Sequence, residues 1–274
     1  DVWPDVPVGM YCEFFYKKDG ADVGFDKEFS PNDLDRDACR LRLKNINNFL
    51  HFDIADFGIS PTQWQASTFP EPFRSKITVI HDGIDTDALK PNEDVNLRIK
   101  TKLGQEVALS NEHEIVTFVN RNFEPYRGYH IFMRSLPKLL QQKPNLRVLL
   151  IGGNSVSYGL APDKREYGYE SWREVFANEI KDLISPKDRE RIHFLGHLPY
   201  KKYVQAMQVS SVHVYLTYPF VLSWSLLEAM SVGCAIVGSD TQPVSEVISD
   251  YENGLLVNFF DPEKAKNQQV KDLL

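Results

Sequence analysis

From about residue 112 onward, short runs of aliphatic and β-branched residues alternate with amphipathic stretches, and this rhythm restricts the fold more than any other feature of the 274-residue chain. Residues 115–119 (IVTFV) predict a buried strand. Phe132, Leu136, Leu139 and Leu140 follow at helical spacing, with Pro137 expected to kink the helix. Residues 146–151 (LRVLLI) predict a second strand, ending at Gly152-Gly153, and residues 171–183 a helix. Further strands are expected at 192–195, 212–216, 234–238 and 254–257. A short helix is expected over 203–208, and another over 226–232 that Gly233 stops. Strands separated by helices at these intervals predict an α/β fold with a parallel, doubly wound sheet.

The first hundred residues are less regular but similar in kind. Strands are expected over 8–15, 54–59 and 77–80. A helix over 36–50 would place Cys39, Leu43, Ile46 and Leu50 on one face. Asp82-Gly83 signals a turn, and residues 90–94, with Pro91, suit a linker. Two domains follow, 1–90 and 91–274. The chain opens on Asp1-Val2-Trp3-Pro4, like the middle of a loop, and residues 261–274 look like a helix just beginning, so the sequence reads as a piece of a longer protein. Hydrophobic residues at 42% and charged residues at 25% are ordinary for a soluble globular chain. There is no apolar run of membrane-spanning length and no signal peptide. Three dispersed cysteines (Cys12, Cys39, Cys234) argue against a disulfide framework and suit a reducing compartment. A net charge of −7 disfavours nucleic acid and anionic lipid but leaves room for a local cationic pocket.

Three constellations could carry chemistry. Arg121-Asn122-Phe123-Glu124-Pro125-Tyr126-Arg127-Gly128 follows the first strand of the second domain. Ligands of open parallel sheets sit at the carboxyl ends of strands, and guanidinium groups bind phosphate oxygens bidentately. The two arginines suit a diphosphate there; equally, they suit a surface pairing with Glu124. Ser223-Trp224-Ser225-Leu226-Leu227-Glu228 follows the strand at 212–216. A helix start at this edge offers free N–H groups to a phosphate. Glu228, placed in the first helical turn, could accept from sugar hydroxyls. Alternatively, Ser225-x-x-Glu228 is a capping box that serves only the helix terminus. Asp85-Thr86-Asp87 could hold a divalent metal against a diphosphate, or could simply belong to the linker turn; a second copy at Asp33-Leu34-Asp35 shows how readily chance supplies the triplet.

Several classes lose their main support. There is no G-x-G-x-x-G fingerprint, no G-x-x-x-x-G-K-[ST] loop and no G-x-S-x-G elbow. His193, His197 and His213 lie near strands, at spacings that match no zinc pattern.

Taken in order, the segments VIHDGIDTDALKP, VTFVNRNFEPYRGYHIFMRSLPKLL, LRVLLIGG, HFLGHLP, SLLEAMSVGCAIVGSD and SEVISDYENGLLV resemble family 4 glycosyltransferases of the GT-B fold, in a bacterial, retaining subgroup. The resemblance implies two Rossmann-like domains. Residues 1–90 would be the later part of an incomplete acceptor-side domain, and residues 91–274 the nucleotide-sugar domain. It further implies that Arg121 and Arg127 grip the donor diphosphate, the second being usually Lys in the family. Backbone N–H groups at Ser225 and Leu226 would meet the phosphates, Glu228 the ribose, and the backbone of Gly196, His197 and Leu198 the base. One position departs from the pattern. The first Glu of the family's E-x7-E motif falls at Phe220, which puts the sugar-binding mode in doubt. No general base is assigned, since the resemblance places it upstream of Asp1.

The function implied is transfer of a glycosyl group from a nucleotide-diphospho-sugar to a hydroxyl of a sugar or lipid-linked sugar, with retention and without a metal. No cofactor is implied, because the nucleotide-sugar is a substrate. A role in bacterial polysaccharide or glycoconjugate synthesis, a cytoplasmic location and peripheral contact with the inner membrane face are implied as well, with this piece inactive by itself. The alternatives are a metal-dependent transferase using Asp85 and Asp87, a nucleotide-sugar epimerase of the same fold, and a nucleotide-sugar-binding module without catalysis.

Overall fold

A computed structural model describes residues 5–31, 33–101 and 104–261. In chain order its elements are β1 (Gly9–Tyr11), α1 (Leu34–Lys44), α2 (Ile46–Phe52), β2 (Phe57–Ser60), α3 (Gln63–Ser67), β3 (Ile77–Val79), β4 (Leu97–Lys100) and β5 (Glu106–Leu109). Then follow β6 (Ile115–Asn122), α4 (Tyr129–Gln142), β7 (Arg147–Gly153), α5 (Lys164–Tyr167), α6 (Trp172–Glu179), α7 (Pro186–Arg189), β8 (Ile192–Gly196) and α8 (Tyr200–Gln208). The last described elements are β9 (Val212–Tyr215), α9 (Trp224–Ser231), β10 (Ala235–Ser239), α10 (Gln242–Ser245) and β11 (Leu255–Val257). The opening residues 1–4 and the helix expected to begin beyond 261 lie outside the described residues.

Two compact units divide these elements. The first runs to Gly83 and takes in Tyr218–Leu222 and Thr241–Val247. The second holds Ile84–Thr217, Ser223–Asp240 and the described residues from Ile248 on.

The second unit is built on a six-stranded sheet in the order β11-β10-β9-β6-β7-β8, with every pairing parallel. Parallel strands need crossover helices on both faces, and so their residues are buried on both sides. The sequence obeys this: Ile115, Val116, Phe118, Val148, Leu149 and Leu150 are all buried. The chain runs outward from β6 through β7 to β8, then returns to β9 on the other side of β6. The reversal opens a crevice at the carboxyl ends of β6 and β9, where doubly wound sheets bind ligands.

An antiparallel hairpin, β4 with β5, adds to this unit. Its inward residues Leu97, Ile99 and Leu109 join Val95, Ile115, Leu149, Ile151, Ala206 and Val209 in one buried cluster, with Tyr203, Leu195 and Leu198 packed at its margin. At about 1.5–3 kcal/mol for each fully buried aliphatic side chain, such a cluster is a principal stabiliser. The hairpin adds to the elements expected from the sequence, and its Leu97-Arg98-Ile99-Lys100 alternates buried and exposed with strand period.

The first unit carries a three-stranded parallel sheet, β1-β2-β3. Its core gathers Cys12, Ala55, Phe69 and Phe73, with Met10, Phe15, Phe52 and Ile77 against them. The helix expected over 36–50 is two helices, divided at Asn45. Asn45 leaves the helical pattern because its side chain serves another segment: Oδ1 accepts from the Tyr16 N–H at 2.9 Å, and Nδ2 donates to the Tyr16 carbonyl at 2.6 Å. Asp37, Leu41 and Asn45 point inward, while Cys39, Leu43, Ile46 and Leu50 are exposed.

Candidate functional site

The crevice between β6 and β9 is lined by the loops that leave those strands. After β6 the chain makes a short 3-10 turn over Pro125–Arg127 and enters α4 at Gly128, whose φ is +66°. No side chain fits there, since a Cβ on Gly128 would lie 2.3 Å from Leu216 Cβ, in the loop leaving β9. The tight approach of these two loops draws Arg127 across the reversal point. Its Nη1 donates to Tyr215 Oη at 3.2 Å and to Thr217 Oγ1 at 3.0 Å.

Arg127 is only 5% exposed, and its guanidinium lies 4.8 Å from the centroid of the Tyr158 ring. Burial opposes its charge, but Tyr215, Tyr158 and Glu124 outweigh that and hold the group above the ordinary arginine pKa. It is thus a fixed cation. Glu124, which the sequence offered as a partner for the arginines, ties down the loop after β7. Its carboxylate accepts from the backbone N–H groups of Ser157 (2.9 Å), Tyr158 (3.1 Å) and Gly159 (2.8 Å). That anchoring keeps Tyr158 against Arg127.

Arg121, at the end of β6, is exposed, and it makes no hydrogen bond or ion pair with any described residue. The two arginines therefore differ in kind: Arg127 is immobilised, and Arg121 is free to meet solvent or a ligand.

On the opposite side of the crevice, α9 is capped by Ser223, not by Ser225 as the capping-box alternative required. Ser223 Oγ accepts from the Ser225 N–H at 3.4 Å, and the Ser223 N–H donates to Tyr215 Oη at 2.7 Å. Tyr215 is consequently a hub that receives a bond from Arg127 and another from the start of α9. Ser225 and Leu226 are buried in the first turn.

Glu228 falls two positions further into the helix than expected, past its first turn, and does not serve the helix terminus. It is 9% exposed; Tyr203 Oη donates to its Oε2 at 2.5 Å, and Tyr200 Oη to its Oε1 at 3.4 Å. Neither tyrosine was singled out in the sequence. Their spacing of three along α8 puts both on one helix face, a signal that was available once α8 was known to pack on α9.

The segment from Gly196 to Leu198 joins β8 to α8. Gly196 has φ +65°, His197 is exposed, and Leu198 packs on the hairpin cluster. Gly153 lies beside this segment: a Cβ there would be 2.5 Å from His197 Nε2.

Asp85 Oδ1 accepts from the backbone N–H groups of Asp87 (3.1 Å) and Ala88 (3.0 Å), so the Asp-x-Asp triplet closes its own turn. Among the described residues, no group of three His, Cys, Asp or Glu side chains is arranged to hold a metal ion. Phe220, the residue at the first Glu position, belongs to the first unit. It is 1% exposed, with its ring 4.6 Å from that of Phe14 and 6.0 Å from that of Tyr16.

Comparison with known proteins gives two family matches. The family described as "Glycosyl transferase family 4 group" matches residues 1–89, and "Glycosyl transferases group 1" matches residues 100–274. A D-inositol 3-phosphate glycosyltransferase of Corynebacterium efficiens is 25% identical over 189 residues, covering 68% of this chain and 40% of the relative. An uncharacterized glycosyltransferase of Methanocaldococcus jannaschii is 35% identical over 200 residues, covering 71% of this chain and 43% of the relative. The chain thus spans less than half the length of either. Among solved structures, HepE of Anabaena in complex with UDP and glucose superposes with a TM-score of 0.60 at 16% identity, covering 97% of this chain and 64% of HepE. At that identity the likeness is one of fold.

Proposed function

Since the chain belongs to the group 1 glycosyltransferases and has the GT-B fold, we propose that it transfers a hexosyl group from a nucleotide-diphospho-sugar to a hydroxyl acceptor with retention of configuration. The observation that carries this is the fixed cation at the reversal point of the sheet: Arg127 bridges the loops after β6 and β9, with the exposed Arg121 side chain unpaired among the described residues.

The chemistry is electrostatic. As the glycosidic C–O bond breaks, negative charge grows on the diphosphate leaving group. Arg127 is already in place and desolvated, so little reorganisation is needed to stabilise that charge. The N-terminal turn of α9, at Ser225 and Leu226, adds the positive end of a helix dipole. Arg121 closes on the outer phosphate, Glu228 accepts from the ribose, and the backbone from Gly196 to Leu198 faces the base. In this reading the reaction proceeds without a metal and without a cofactor, and Asp85 Oδ1 serves its own turn. HepE, with the same fold, is in complex with UDP and glucose, which supports a donor of this class.

The acceptor is a sugar or lipid-linked sugar, and the setting is polysaccharide or glycoconjugate synthesis at the cytoplasmic face of a bacterial membrane. No helix among the described residues is long and apolar enough to cross a membrane, and the role assigned is one of peripheral contact.

Titration calorimetry with UDP, GDP and ADP tests the donor site. One nucleotide should bind, and Arg121→Ala and Glu228→Ala should each weaken it. Transfer in the full-length enzyme should survive EDTA, and Arg127→Ala should lower turnover on the order of 10²-fold, by analogy with loss of one oxyanion-hole donor. Unimpaired turnover would sink the electrostatic role. Phe220 favours a second reading, a nucleotide-sugar-binding module without catalysis, because an aromatic side chain packed on Phe14 cannot replace a carboxylate. Donor binding without transfer by the full-length chain would establish that reading.

A further inference from the structure

The carboxylate of Glu228 is held unequally. Tyr203 Oη approaches Oε2 at 2.5 Å, a short charge-assisted contact. Tyr200 Oη stands 3.4 Å from Oε1, well beyond the 2.7–2.8 Å usual for hydroxyl donors. The two tyrosines also sit in different surroundings. The Tyr203 ring packs against the hairpin cluster, and burial together with the neighbouring Glu228 raises its pKa far above that of free tyrosine, so the hydroxyl remains a donor. Tyr200 is 60% exposed and is the second residue after Leu198, in the segment assigned to the base.

One oxygen of Glu228 is therefore firmly bound from the protein side, and the other is loosely bound by an exposed side chain that can turn away. A buried carboxylate needs its lone pairs satisfied, and both contacts serve that need. The second is the one that a ligand hydroxyl can replace without leaving Glu228 short of donors.

We propose that Tyr203 is a positioning residue that aims Glu228 at the ribose diol of a nucleoside diphosphate, while the Tyr200 hydroxyl keeps the diol's place and yields it on binding. The proposal rests on the assignment of Glu228 to the donor ribose. Tyr203 touches no part of the ligand and acts only through the carboxylate it orients. Its hydroxyl should therefore matter to ligands that carry the diol and be silent towards ligands that lack it.

The test is calorimetry on the chain and on Tyr203→Phe, Tyr200→Phe and Glu228→Ala, each titrated with UDP, GDP and ADP and with their 2′,3′-dideoxy counterparts. Tyr203→Phe should weaken the ribose nucleotide on the order of tenfold, the worth of one hydrogen bond to a charged group, and leave the dideoxy nucleotide unchanged. Tyr200→Phe should leave the ribose nucleotide unchanged or tighten it.

Equal weakening of both ligands by Tyr203→Phe would mean a structural role and overturn the proposal, as would no effect on either. The dideoxy ligand makes this separation even if the variant is less stable. Weakening by Tyr200→Phe would overturn the place-keeping part. If Glu228→Ala discriminates between the ligands and Tyr203→Phe does not, the positioning role alone falls. If Glu228→Ala fails to discriminate, or none of the three nucleotides binds, the ribose assignment falls and the proposal with it.

Discussion

Individual residues at the centre of the second unit show how far burial governs chemistry here. His213, on β9, is fully enclosed; its Nδ1 contacts Thr117 Oγ1 at 2.9 Å, and its Nε2 has no hydrogen-bond partner among the described residues. Burial pushes its pKa down from 6.5 to about 3. The folded chain thus holds the ring neutral while the unfolded chain protonates it below pH 6.5. The contribution of His213 is fully present above that value and declines as pH falls towards about 3, by up to about 1.4 kcal/mol per pH unit. Urea denaturation at pH 7 and pH 5 should show the advantage of the wild type over His213→Gln shrinking at the lower pH; an advantage independent of pH would contradict the buried neutral ring. Legibility in the sequence also varied by residue. Arg121 and Arg127 stand out by type and by their place after a strand, but nothing in the sequence distinguishes the free one from the enclosed one. That distinction comes from Tyr215, Thr217 and Tyr158, which converge from two other loops. Tyr203 escaped notice for a similar reason, since a tyrosine at a helix margin reads as packing until its hydroxyl is seen on Glu228.

At the scale of elements, α4 carries a residue that works against it. Pro137 lies within the helix, where it can donate no bond to the preceding turn and its ring crowds the carbonyl of Met133. The helix forms nonetheless because Phe132, Met133, Leu136 and Leu140 are buried against the sheet, with the Phe132 ring stacked on that of Phe118 at 4.5 Å. Pro137→Ala should therefore stabilise the unit by up to about 3 kcal/mol, read as a higher denaturation midpoint with an unchanged m-value; an unchanged or lower midpoint would mean that the helix is adapted to the proline. The strands of the six-stranded sheet were legible, because strands buried on both faces leave unbroken aliphatic runs such as LRVLLI. The helices of the first unit were legible in position but not in the face they bury or in their break at Asn45. Their periodic apolar set, Cys39, Leu43, Ile46 and Leu50, faces outward, and the inward set includes Asp37 and Asn45. Asp37 is paired there with Arg40 at 2.7 Å, and Asn45 with the backbone of Tyr16. Polar residues satisfied by tertiary partners carry no hydrophobic signal, and so the pattern pointed to the wrong face.

For the molecule as a whole, the interleaving of the two units along the chain has a consequence for folding. The second unit contains all six strands of its sheet and the hairpin, and the buried cluster under the hairpin draws on no residue before Val95, whereas α10, between β10 and β11, belongs to the first unit. Its sheet takes no strand from the first 83 residues. Two segments within its span belong instead to the first unit: in Tyr218–Leu222, Phe220 packs on Phe14 and Tyr218 Oη donates to Asp26 Oδ2 at 3.0 Å, and in Thr241–Val247 the Glu246 carboxylate accepts from the Gln63 (2.6 Å) and Trp64 (2.8 Å) N–H groups. A chain of residues 84–274 would lose the contacts that these segments make with Phe14, Asp26, Gln63 and Trp64, at a cost of about 1.5–3 kcal/mol for each large apolar group returned to water. That penalty falls on the loop after β9 and on the α10 connection after β10, whereas the strands they join keep their pairings within the sheet. Such a chain should unfold cooperatively, with a lower midpoint than the parent, and should bind the same nucleoside diphosphate with comparable affinity, since Arg121, Arg127, Tyr203 and Glu228 all lie within it. In the full chain Phe220→Ser should lower the midpoint, because it removes the ring contacts with Phe14 and Tyr16. A non-cooperative melt of the shorter chain would show that the six-stranded sheet depends on the first unit, and that the donor site cannot be treated as a property of the second unit alone.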